Sequence, residues 1–320
     1  MRLAWTPPGR QRRRRSTWTC SWTDCGRLDL DAFVTWLRPR SALQALFALD
    51  GRVAVVTGAT GALGGGIARA LGAAGATVAL LARRAEPLEQ QVAALRAEGI
   101  DVHAVPADVL VRADLEAARE RVLERFDRVD ILVNAAGGNV ADATLEDTAD
   151  LPALPERAFR QVVELNLLGT WLPCQAFMPA LTAPRSPDRG RVEGVILNVS
   201  SMAGQRPLTR VGGYGAAKAA VENLTRWLAV ELARRHGEGV RVNAIAPGFF
   251  LGEQNRALLL DDHGTPTSRG QAILAHTPAA RFGAPEDVAG TTIWLCSPAS
   301  RFVTGIVVPV DGGFSASSGI

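Results

Sequence analysis

The chain has 320 residues, 47% of them hydrophobic, and a formal net charge of +3, which allows one large domain or two modest ones. No apolar run approaches 18 residues, so we expect no membrane-spanning helix. Residues 1–50 hold nine Arg and four Asp, which leaves the other 270 residues at −2. The body of the chain therefore gives no electrostatic reason to expect a nucleic-acid partner.

The first 48 residues differ in composition from the rest. They hold four of the seven Trp, two of the four Cys and the basic run Arg12–Arg15. No apolar segment follows that run, which excludes a secretory signal. We expect residues 1–48 to be a disordered extension or the product of a start site assigned too far upstream. Nucleic-acid binding and a targeting peptide are the alternatives.

The four cysteines (Cys20, Cys25, Cys174 and Cys296) and the four scattered histidines show no metal-ligand spacing. We therefore predict a reducing, cytoplasmic location and no metal.

From residue 51 the chain begins a strand–loop–helix pattern. The β-branched run 51–57 predicts a buried strand, the glycine-rich segment 58–66 a loop, and the apolar residues after it a helix. A second strand is predicted at 77–81, the distance expected of a βαβ unit. Glycines let the backbone approach a phosphate, and a helix N-terminus offers free N–H groups. The segment therefore predicts a nucleotide site, although plain turn glycines would give a similar pattern.

Two arginines, Arg83 and Arg84, follow the second strand directly. Sites that prefer NAD usually place a carboxylate here to hold the ribose 2′-hydroxyl, and none is present. Arginine would instead meet a 2′-phosphate, so the sequence favours NADP over NAD. A solvated surface role is the alternative.

The alternation of strands and helices continues to the end of the chain. Further strands are predicted at 101–106, 129–133, 195–199, 240–245 and near 305–310, and further helices at 86–98, 112–126, 157–181, 214–236 and 285–296, with a polar loop at 183–194. Seven strands alternating with helices predict an α/β fold: a single Rossmann-type domain over 49–320, with a doubly wound parallel sheet and helices on both faces. Ligands bind at the carboxyl ends of such strands.

The segment 213–218 contains the only tyrosine and the only lysine of the chain, Tyr214 and Lys218. Four residues apart on a helix, they share one face. A phenol has an ordinary pKa of about 10, and a cation about 4 Å away at an effective dielectric near 20 contributes on the order of 4 kcal/mol. We therefore expect Lys218 to bring the Tyr214 pKa towards neutrality, where a general acid–base works best. Two unrelated surface residues are the alternative.

Over about 49–320 the chain resembles the short-chain dehydrogenase/reductase superfamily. The resemblance rests on the glycine loop Thr57–Gly64, on Ser201 placed 13 residues before Tyr214, and on further short motifs. It departs from the pattern at Ala62, which is usually glycine, and at Ala135, which is usually asparagine. The implied cofactor residues are Gly58, Thr60, Gly61, Leu63, Gly64, Asp108, Val109, Asn134, Ala135, Ala136, Gly137, Pro247 and Gly248, beside Arg83, Arg84, Tyr214 and Lys218.

The resemblance also implies catalytic roles for four residues. Tyr214 would exchange a proton with the substrate oxygen, and Ser201 would hold that oxygen. Lys218 would lower the tyrosine pKa and hydrogen-bond the nicotinamide ribose, while Asn166 would position a water that connects Lys218 to solvent. The implied activity is NAD(P)-dependent interconversion of a ketone and a secondary alcohol.

The segment 249–281 is expected to form a substrate lid. Its polar residues Gln254, Asn255 and Arg256 suit a hydroxylated or anionic substrate, and Arg206 and Arg210 would add a carboxylate clamp. Solvent-facing charges are the alternative. The sequence of this region resembles that of bacterial D-mannonate (fructuronate) oxidoreductases, and this resemblance implies a keto sugar acid as substrate.

Two further functions remain open at this point. One is a 3-oxoacyl-[acyl-carrier-protein] reductase, and the other is a cofactor-sensing binding protein without catalysis. The family resemblance implies a small-molecule carbonyl or alcohol substrate and a homotetramer built on the helices that carry Asn166 and Tyr214.

Overall fold

The computed structural model describes residues 40–146, 148–183, 194–252 and 255–318. By its internal contacts the chain divides into two units, Met1–Ala45 and Leu46–Ile320, and the whole sheet lies in the second. Most of the predicted extension 1–48, at residues 1–39, lies outside the described residues, as does the greater part of the predicted loop 183–194.

Seven parallel strands form one sheet in the order β3-β2-β1-β4-β5-β6-β7. The strands are β1 Val53–Thr57, β2 Thr77–Ala82, β3 Val102–Pro106, β4 Ile131–Asn134, β5 Gly194–Val199, β6 Val240–Pro247 and β7 Val307–Val310. The helices are α1 Arg40–Phe47, α2 Ala62–Ala73, α3 Ala85–Ala97, α4 Arg112–Phe126, α5 Glu156–Val163, α6 Gly169–Leu181, α7 Gly212–His236, α8 Arg256–Leu259, α9 Ser268–His276 and α10 Ala289–Cys296. The predicted Rossmann-type α/β fold is confirmed.

Helices cover both faces of the sheet, which explains why the strands are continuous apolar runs rather than alternating ones. Successive side chains of a strand point to opposite faces. Accordingly, Ala54 and Val56 of β1 pack into one buried cluster, whereas Val53 and Val55 pack into the other. All five residues of β1 are buried.

The strand order reverses between β1 and β4, which are neighbours in the sheet but lie far apart in the chain. In open α/β sheets, ligands bind in the crevice outside the carboxyl ends of the strands at such a reversal. The registers align Thr57 with Asn134 and Asn134 with Asn198, so β1, β4 and β5 end side by side. The fold thus sets the position of a ligand crevice.

Two predicted helices differ from continuous α-helices. The predicted helix 157–181 contains a π-helical segment, Glu164–Leu168, between α5 and α6. The predicted helix 285–296 begins as a 3₁₀ turn, Pro285–Val288, before α10. Asp287 accepts a hydrogen bond from the backbone N–H of Ala284 at 2.8 Å, which holds that tighter turn.

None of the described helices has the length and apolar composition that a bilayer crossing needs. Within the described ranges, no group of three or more His, Cys, Asp or Glu side chains is placed to hold a metal ion.

Candidate active site

The glycine loop after β1 forms a cradle that only glycine can line. Gly58 has φ +64°, and a Cβ there would lie 2.7 Å from the backbone of Ala136. A Cβ at Gly64 would lie 2.2 Å from the carbonyl oxygen of Gly58. The loop from β1 therefore approaches the loop from β4 more closely than side chains would permit.

Helix α2 starts at this loop with Gly61 as its N-cap, and no side chain caps its first turn. Its first N–H groups and the positive end of its dipole are directed at the crevice. Thr60 and Leu63 are half-buried beside Gly61, which is exposed. The cradle and the open helix end together fit the pyrophosphate of a dinucleotide cofactor.

The two arginines after β2 are exposed. Neither the Arg83 nor the Arg84 side chain makes a hydrogen bond or ion pair with another described residue. Both lie at the carboxyl end of β2, next in the sheet to the glycine loop. Their guanidinium groups are therefore available to a ligand at this edge of the sheet.

The loop after β4 is held by a residue that the sequence analysis did not single out as functional. Thr57, fully buried at the end of β1, accepts hydrogen bonds through Oγ1 from the backbone N–H groups of Ala135 and Ala136, each at 3.1 Å. The sequence could have indicated this role, because a threonine hydroxyl stands at the end of a predicted buried strand, directly before the glycine loop. Thr57 therefore fixes the crevice without the second asparagine that Ala135 replaces.

Asn134 ends β4, but its side chain turns into the core rather than the crevice. Its Nδ2 donates to Oδ1 of Asn198 at 2.9 Å and to Sγ of Cys174 at 3.2 Å. Asn134 was predicted to bind the cofactor, but its side chain instead links β4 to β5 inside the sheet.

Four other predicted cofactor positions lie at or just after strand ends. Asp108 follows β3, and its carboxylate accepts a hydrogen bond from the N–H of Leu110, which forms the turn beside buried Val109. Pro247 ends β6, and a Cβ on Gly248 would lie 2.8 Å from Cα of Asp311. These positions shape the rim of the crevice.

Asn166 lies in the π-helical segment and is fully buried. Its Oδ1 accepts from the N–H of Gly138 at 3.0 Å, and its Nδ2 donates to the carbonyls of Gly138 at 2.7 Å and Val162 at 2.8 Å. A Cβ on Gly137 would lie 2.6 Å from Asn166 Oδ1 and 3.1 Å from Lys218 Nζ. The amide and the ammonium therefore meet at Gly137.

Tyr214 and Lys218 lie on one face of α7, as their spacing predicts. Nζ of Lys218 is 5.7 Å from the centre of the Tyr214 ring and donates to the carbonyl oxygen of Val199 at 2.8 Å. The tyrosine ring packs on the small buried cluster of Ala143, Ala158 and Val162. Its position is thus fixed by contacts with two other segments.

The Tyr214 pKa is raised, rather than lowered as the sequence predicts. Burial raises the pKa of the Tyr214 phenol above its ordinary value, and a hydrogen bond with Ser201 opposes that rise. Burial also lowers the pKa of Lys218 to about 8. The prediction that Lys218 brings the Tyr214 pKa towards neutrality was wrong for two reasons. It assumed a cation about 4 Å from the phenol, and it neglected the desolvation of the buried phenol.

Ser201 lies in the turn after β5, where its Oγ accepts a hydrogen bond from the N–H of Ala203 at 3.2 Å. It is buried, and its hydroxyl meets the phenol of Tyr214. Ser201, Tyr214 and Lys218 thus converge at the carboxyl end of β5, and Asn166 and Lys218 both lie beside Gly137. A carbonyl oxygen placed between the serine and the tyrosine would contact two hydroxyl donors.

The predicted substrate arginines are both engaged within the chain. Arg210, with φ +72°, donates to the carbonyl of Leu145 and pairs with Glu146 at 2.9 Å. Arg206 donates from Nε to the carbonyl oxygen of Ser315 at 2.9 Å, and its side chain is exposed. The two arginines therefore do not form one clamp.

The segment 249–281, predicted to be a lid, contains two helices, α8 and α9, that the sequence analysis did not predict. The side chain of Asn255 makes two hydrogen bonds with the backbone of the preceding loop. Its Oδ1 accepts from the N–H of Gly252, and its Nδ2 donates to the carbonyl of Phe250. Arg256 is exposed at the start of α8, and Gln254 lies outside the described residues.

The sequence profile of a family described as enoyl-(acyl carrier protein) reductase matches residues 58–315. An oxidoreductase of Bacillus subtilis named UxuB, itself uncharacterized, is 46% identical over 281 residues, covering 85% of this chain and 98% of that protein. The chain belongs to the short-chain dehydrogenase/reductase family.

Two further relatives of this family have named activities. A 5-keto-D-gluconate 5-reductase of Escherichia coli is 33% identical over 85% of this chain and 98% of its own length. A 3-oxoacyl-[acyl-carrier-protein] reductase of rhamnolipid biosynthesis from Pseudomonas aeruginosa is 35% identical over 85% of this chain and 99% of its own length.

Solved structures of short-chain dehydrogenases/reductases also match the fold. A candidate D-mannonate oxidoreductase from Haemophilus influenzae, with bound NAD, is 36% identical with a TM-score of 0.78, covering 87% of this chain and all of the other. A gluconate 5-dehydrogenase from Burkholderia cenocepacia, in complex with NADP and tartrate, is 31% identical with a TM-score of 0.73, covering 86% and 99%.

Membership of this family makes the chain an NAD(P)-dependent oxidoreductase that acts on CH–OH groups. The predicted reaction class and cofactor class are confirmed. An oxidoreductase, rather than a cofactor-sensing binding protein, is the function that these relatives indicate.

Proposed function

We propose that the enzyme interconverts a keto sugar acid, of the D-fructuronate type, and its secondary alcohol, with Tyr214 as the group that exchanges the proton. The observation that carries the chemistry is the convergence of Ser201, Tyr214 and Lys218 at the carboxyl end of β5. The carbonyl of a ketone can be reduced there because two hydroxyl donors meet one oxygen in a buried place.

In the reductive direction, Tyr214 donates its phenolic proton to the substrate oxygen. Ser201 donates a hydrogen bond to the same oxygen and stabilises its developing negative charge. When bound, the nicotinamide cofactor supplies the hydride. The buried ammonium of Lys218 favours the phenolate that remains, and Asn166 orders the backbone at Gly138 beside it. In the oxidative direction, the phenolate takes the proton back.

A carboxylated substrate is supported by the chemistry of the relatives and by one side chain. Two relatives, the reductase from Escherichia coli and the dehydrogenase from Burkholderia cenocepacia, have gluconate in their names. The structure of the second contains the hydroxy acid tartrate. Arg206 lies five residues after Ser201 and is exposed, and within the described residues its guanidinium is held through Nε. Its terminal N–H groups suit a bidentate carboxylate contact. We propose Arg206 rather than Arg210 for this role, because Arg210 is paired with Glu146.

The lid adds two more substrate candidates. Arg256 and Gln254 flank Asn255, whose own amide is used within the lid. We propose Arg256 as the lid residue that contacts the hydroxylated chain of the substrate, since it is exposed at the start of α8.

A 3-oxoacyl-[acyl-carrier-protein] reductase is the second candidate, favoured by the relative from Pseudomonas aeruginosa. Oxidation of NADPH and NADH is followed with D-fructuronate and, separately, with an acetoacetyl thioester. We expect turnover of fructuronate and little turnover of the thioester. Turnover of the thioester alone would eliminate the sugar-acid proposal.

We propose NADP as the preferred cofactor, because Arg83 and Arg84 are exposed beside the crevice and paired with no described residue. The variant Arg83→Ala is expected to raise the dissociation constant of NADPH at least tenfold, since a charge-assisted contact to a phosphate contributes on the order of 1.5–3 kcal/mol. The dissociation constant of NADH should change less than about twofold. Cofactor fluorescence titration measures both constants.

The matched control for Arg83→Ala is Arg121→Ala, an exposed arginine of α4 far from the crevice. It should leave both affinities unchanged. An equal loss of NADPH and NADH affinity in Arg83→Ala would overturn the NADP preference.

We also propose a homotetramer built partly on the helices that carry Asn166 and Tyr214. Three large apolar side chains on or beside these helices are exposed: Leu168 at 41%, Trp227 at 51% and Val230 at 61%. Trp227 meets Trp171 with ring centres 6.2 Å apart, which extends the apolar surface across both helices. Light scattering should give a mass four times that of the chain, and a monomer would contradict the proposal.

For location we propose the cytoplasm, on the ground that both described cysteines, Cys174 and Cys296, are free thiols. Fractionation of the native host tests it, and recovery from a secreted fraction would contradict it.

A further inference from the structure

Helix α7 carries a third polar residue on the face of Tyr214 and Lys218. Glu222 lies four residues after Lys218 and eight after Tyr214, so the three side chains form one stripe along the helix. Glu222 is 4% exposed. Carboxylates are seldom buried to this degree without a partner, so its contacts indicate what it does.

The carboxylate of Glu222 binds both sides of the turn that carries Ser201. Its Oε1 accepts from the hydroxyl of Ser200 at 3.2 Å and from Nε2 of Gln205 at 3.1 Å. Its Oε2 lies 3.4 Å from a guanidinium nitrogen of Arg226, whose side chain is 53% exposed. One oxygen therefore bridges the residue before Ser201 and a residue four positions after it.

The backbone of the same turn lies directly on α7. A Cβ on Gly204 would come within 2.9 Å of the carbonyl carbon of Lys218 and 3.0 Å of the N of Ala219. The hydroxyl of Ser200 also lies 3.3 Å from the carbonyl oxygen of Lys218. With this contact and the two hydrogen bonds to Glu222, the turn has little freedom to slide along the helix.

We propose that Glu222 is a positioning residue, which fixes the turn of Ser201 on α7 so that the serine hydroxyl stays in contact with the phenol of Tyr214. This inference rests on the proposed roles of Ser201 and Tyr214. Hydrogen bonds to an ionised group are roughly twice as strong as neutral ones, so a buried carboxylate suits the role. Glu222 itself contacts neither of the reacting groups.

The test uses the full-length chain labelled with ¹³C at Cζ of tyrosine, which gives a single resonance because Tyr214 is the only tyrosine. The hydrogen bond with Ser201 lowers the Tyr214 pKa, so its loss must raise the midpoint of the titration. In Glu222→Ala saturated with NADP⁺, we expect a midpoint at least about half a pH unit above that of the wild type. Glu222→Gln keeps an oxygen acceptor and should restore most of the wild-type midpoint.

Turnover gives a second readout. With D-fructuronate and NADPH, Glu222→Ala should lower kcat about tenfold while the dissociation constant of NADPH changes less than twofold. Glu231→Ala, which removes an ion pair with Arg235 farther along α7, is the matched control and should change neither quantity. Unchanged midpoint and kcat in folded Glu222→Ala, or an equal loss in Glu222→Gln, would overturn the proposal.

Two variants separate the possible failures. If Glu222→Ala does not fold, Ser200→Ala removes one donor to the carboxylate and should raise the tyrosine midpoint in the same direction; no shift would overturn the proposal. If Ser201→Ala leaves both the midpoint and kcat at wild-type values, the proposed role of Ser201 fails. If Ser201→Ala alters them and Glu222→Ala does not, the inference about Glu222 alone fails.

Discussion

The variant Tyr214→Phe is expected to lose at least about 100-fold in kcat, because it removes the phenolic hydroxyl that exchanges the proton and keeps the ring. The ring should keep its place, since it packs on the apolar cluster of Ala143, Ala158 and Val162. Steady-state kinetics with D-fructuronate and NADPH measures the effect. The thermal midpoint should fall by no more than about 4 °C, because phenylalanine fills the same apolar site and only the hydrogen bond with Ser201 is lost.

Cofactor titration is the control for Tyr214→Phe. NADPH should bind within about threefold of the wild-type affinity, since the phosphate cradle lies on the β1 loop and not on α7. A variant that still turns over at more than a tenth of the wild-type rate would contradict the assignment of Tyr214. A variant that has lost NADPH binding would show that Tyr214 acts in binding rather than in proton transfer.

The second large effect is expected of Gly64→Ala. A Cβ at this position would meet the carbonyl oxygen of Gly58 at 2.2 Å, and that backbone oxygen cannot move aside as a flexible side chain could. The loop must move away, at a cost of about 2 kcal/mol. Because the moved loop is the cradle for the cofactor phosphates, the dissociation constants of NADPH and NADH should both rise more than tenfold. Isothermal titration calorimetry with each cofactor measures the change.

Gly290→Ala is the matched control for Gly64→Ala. Gly290 also lies in the first turn of a helix, α10, and a Cβ there would meet no atom within 4 Å. Alanine should be tolerated, with a small gain in stability from helix propensity. Gly64→Ala with wild-type affinity for both cofactors would contradict the phosphate cradle.

Local patterns were sufficient to predict the sheet and the stripe of Tyr214 and Lys218. β-Branched runs after turn residues locate the strands, and a spacing of four on an Ala-rich segment fixes one face of a helix. The glycine loop was also predictable from a local pattern. At Gly58 and Gly64 another part of the backbone comes so close that a side chain would not fit.

Long-range contacts account for most of what the sequence did not reveal. Arg210 pairs with Glu146, 64 residues earlier, and the side chain of Asn134 is turned into the core by Asn198, also 64 residues away. Neither partner is visible in a local pattern. The π-helical segment at Asn166 was also missed, because a periodicity of 3.6 does not show where one turn widens.

The tyrosine pKa shows how two opposing effects must be weighed. Desolvation disfavours the phenolate, while a nearby cation favours it. Burial lowers the pKa of Lys218 to about 8, so its charge is present below that pH and lost above it. A hydrogen bond from the Lys218 ammonium to the ribose of a bound cofactor, which the resemblance to the family implies, would keep the amine charged at higher pH. The effect of Lys218 on the phenol is therefore expected in the enzyme that holds its cofactor.

The most direct test of the account is the titration of Tyr214 in the enzyme saturated with NADP⁺, in the wild type and in Lys218→Met. A single ¹³Cζ resonance reports the phenol, and the chain has one lysine to remove. A cation 5.7 Å from the ring centre contributes about 3 kcal/mol at an effective dielectric near 20. We expect the midpoint in Lys218→Met to lie at least one pH unit above the wild-type value. Identical midpoints in the two proteins would contradict the pairing of phenol and amine on which the account rests.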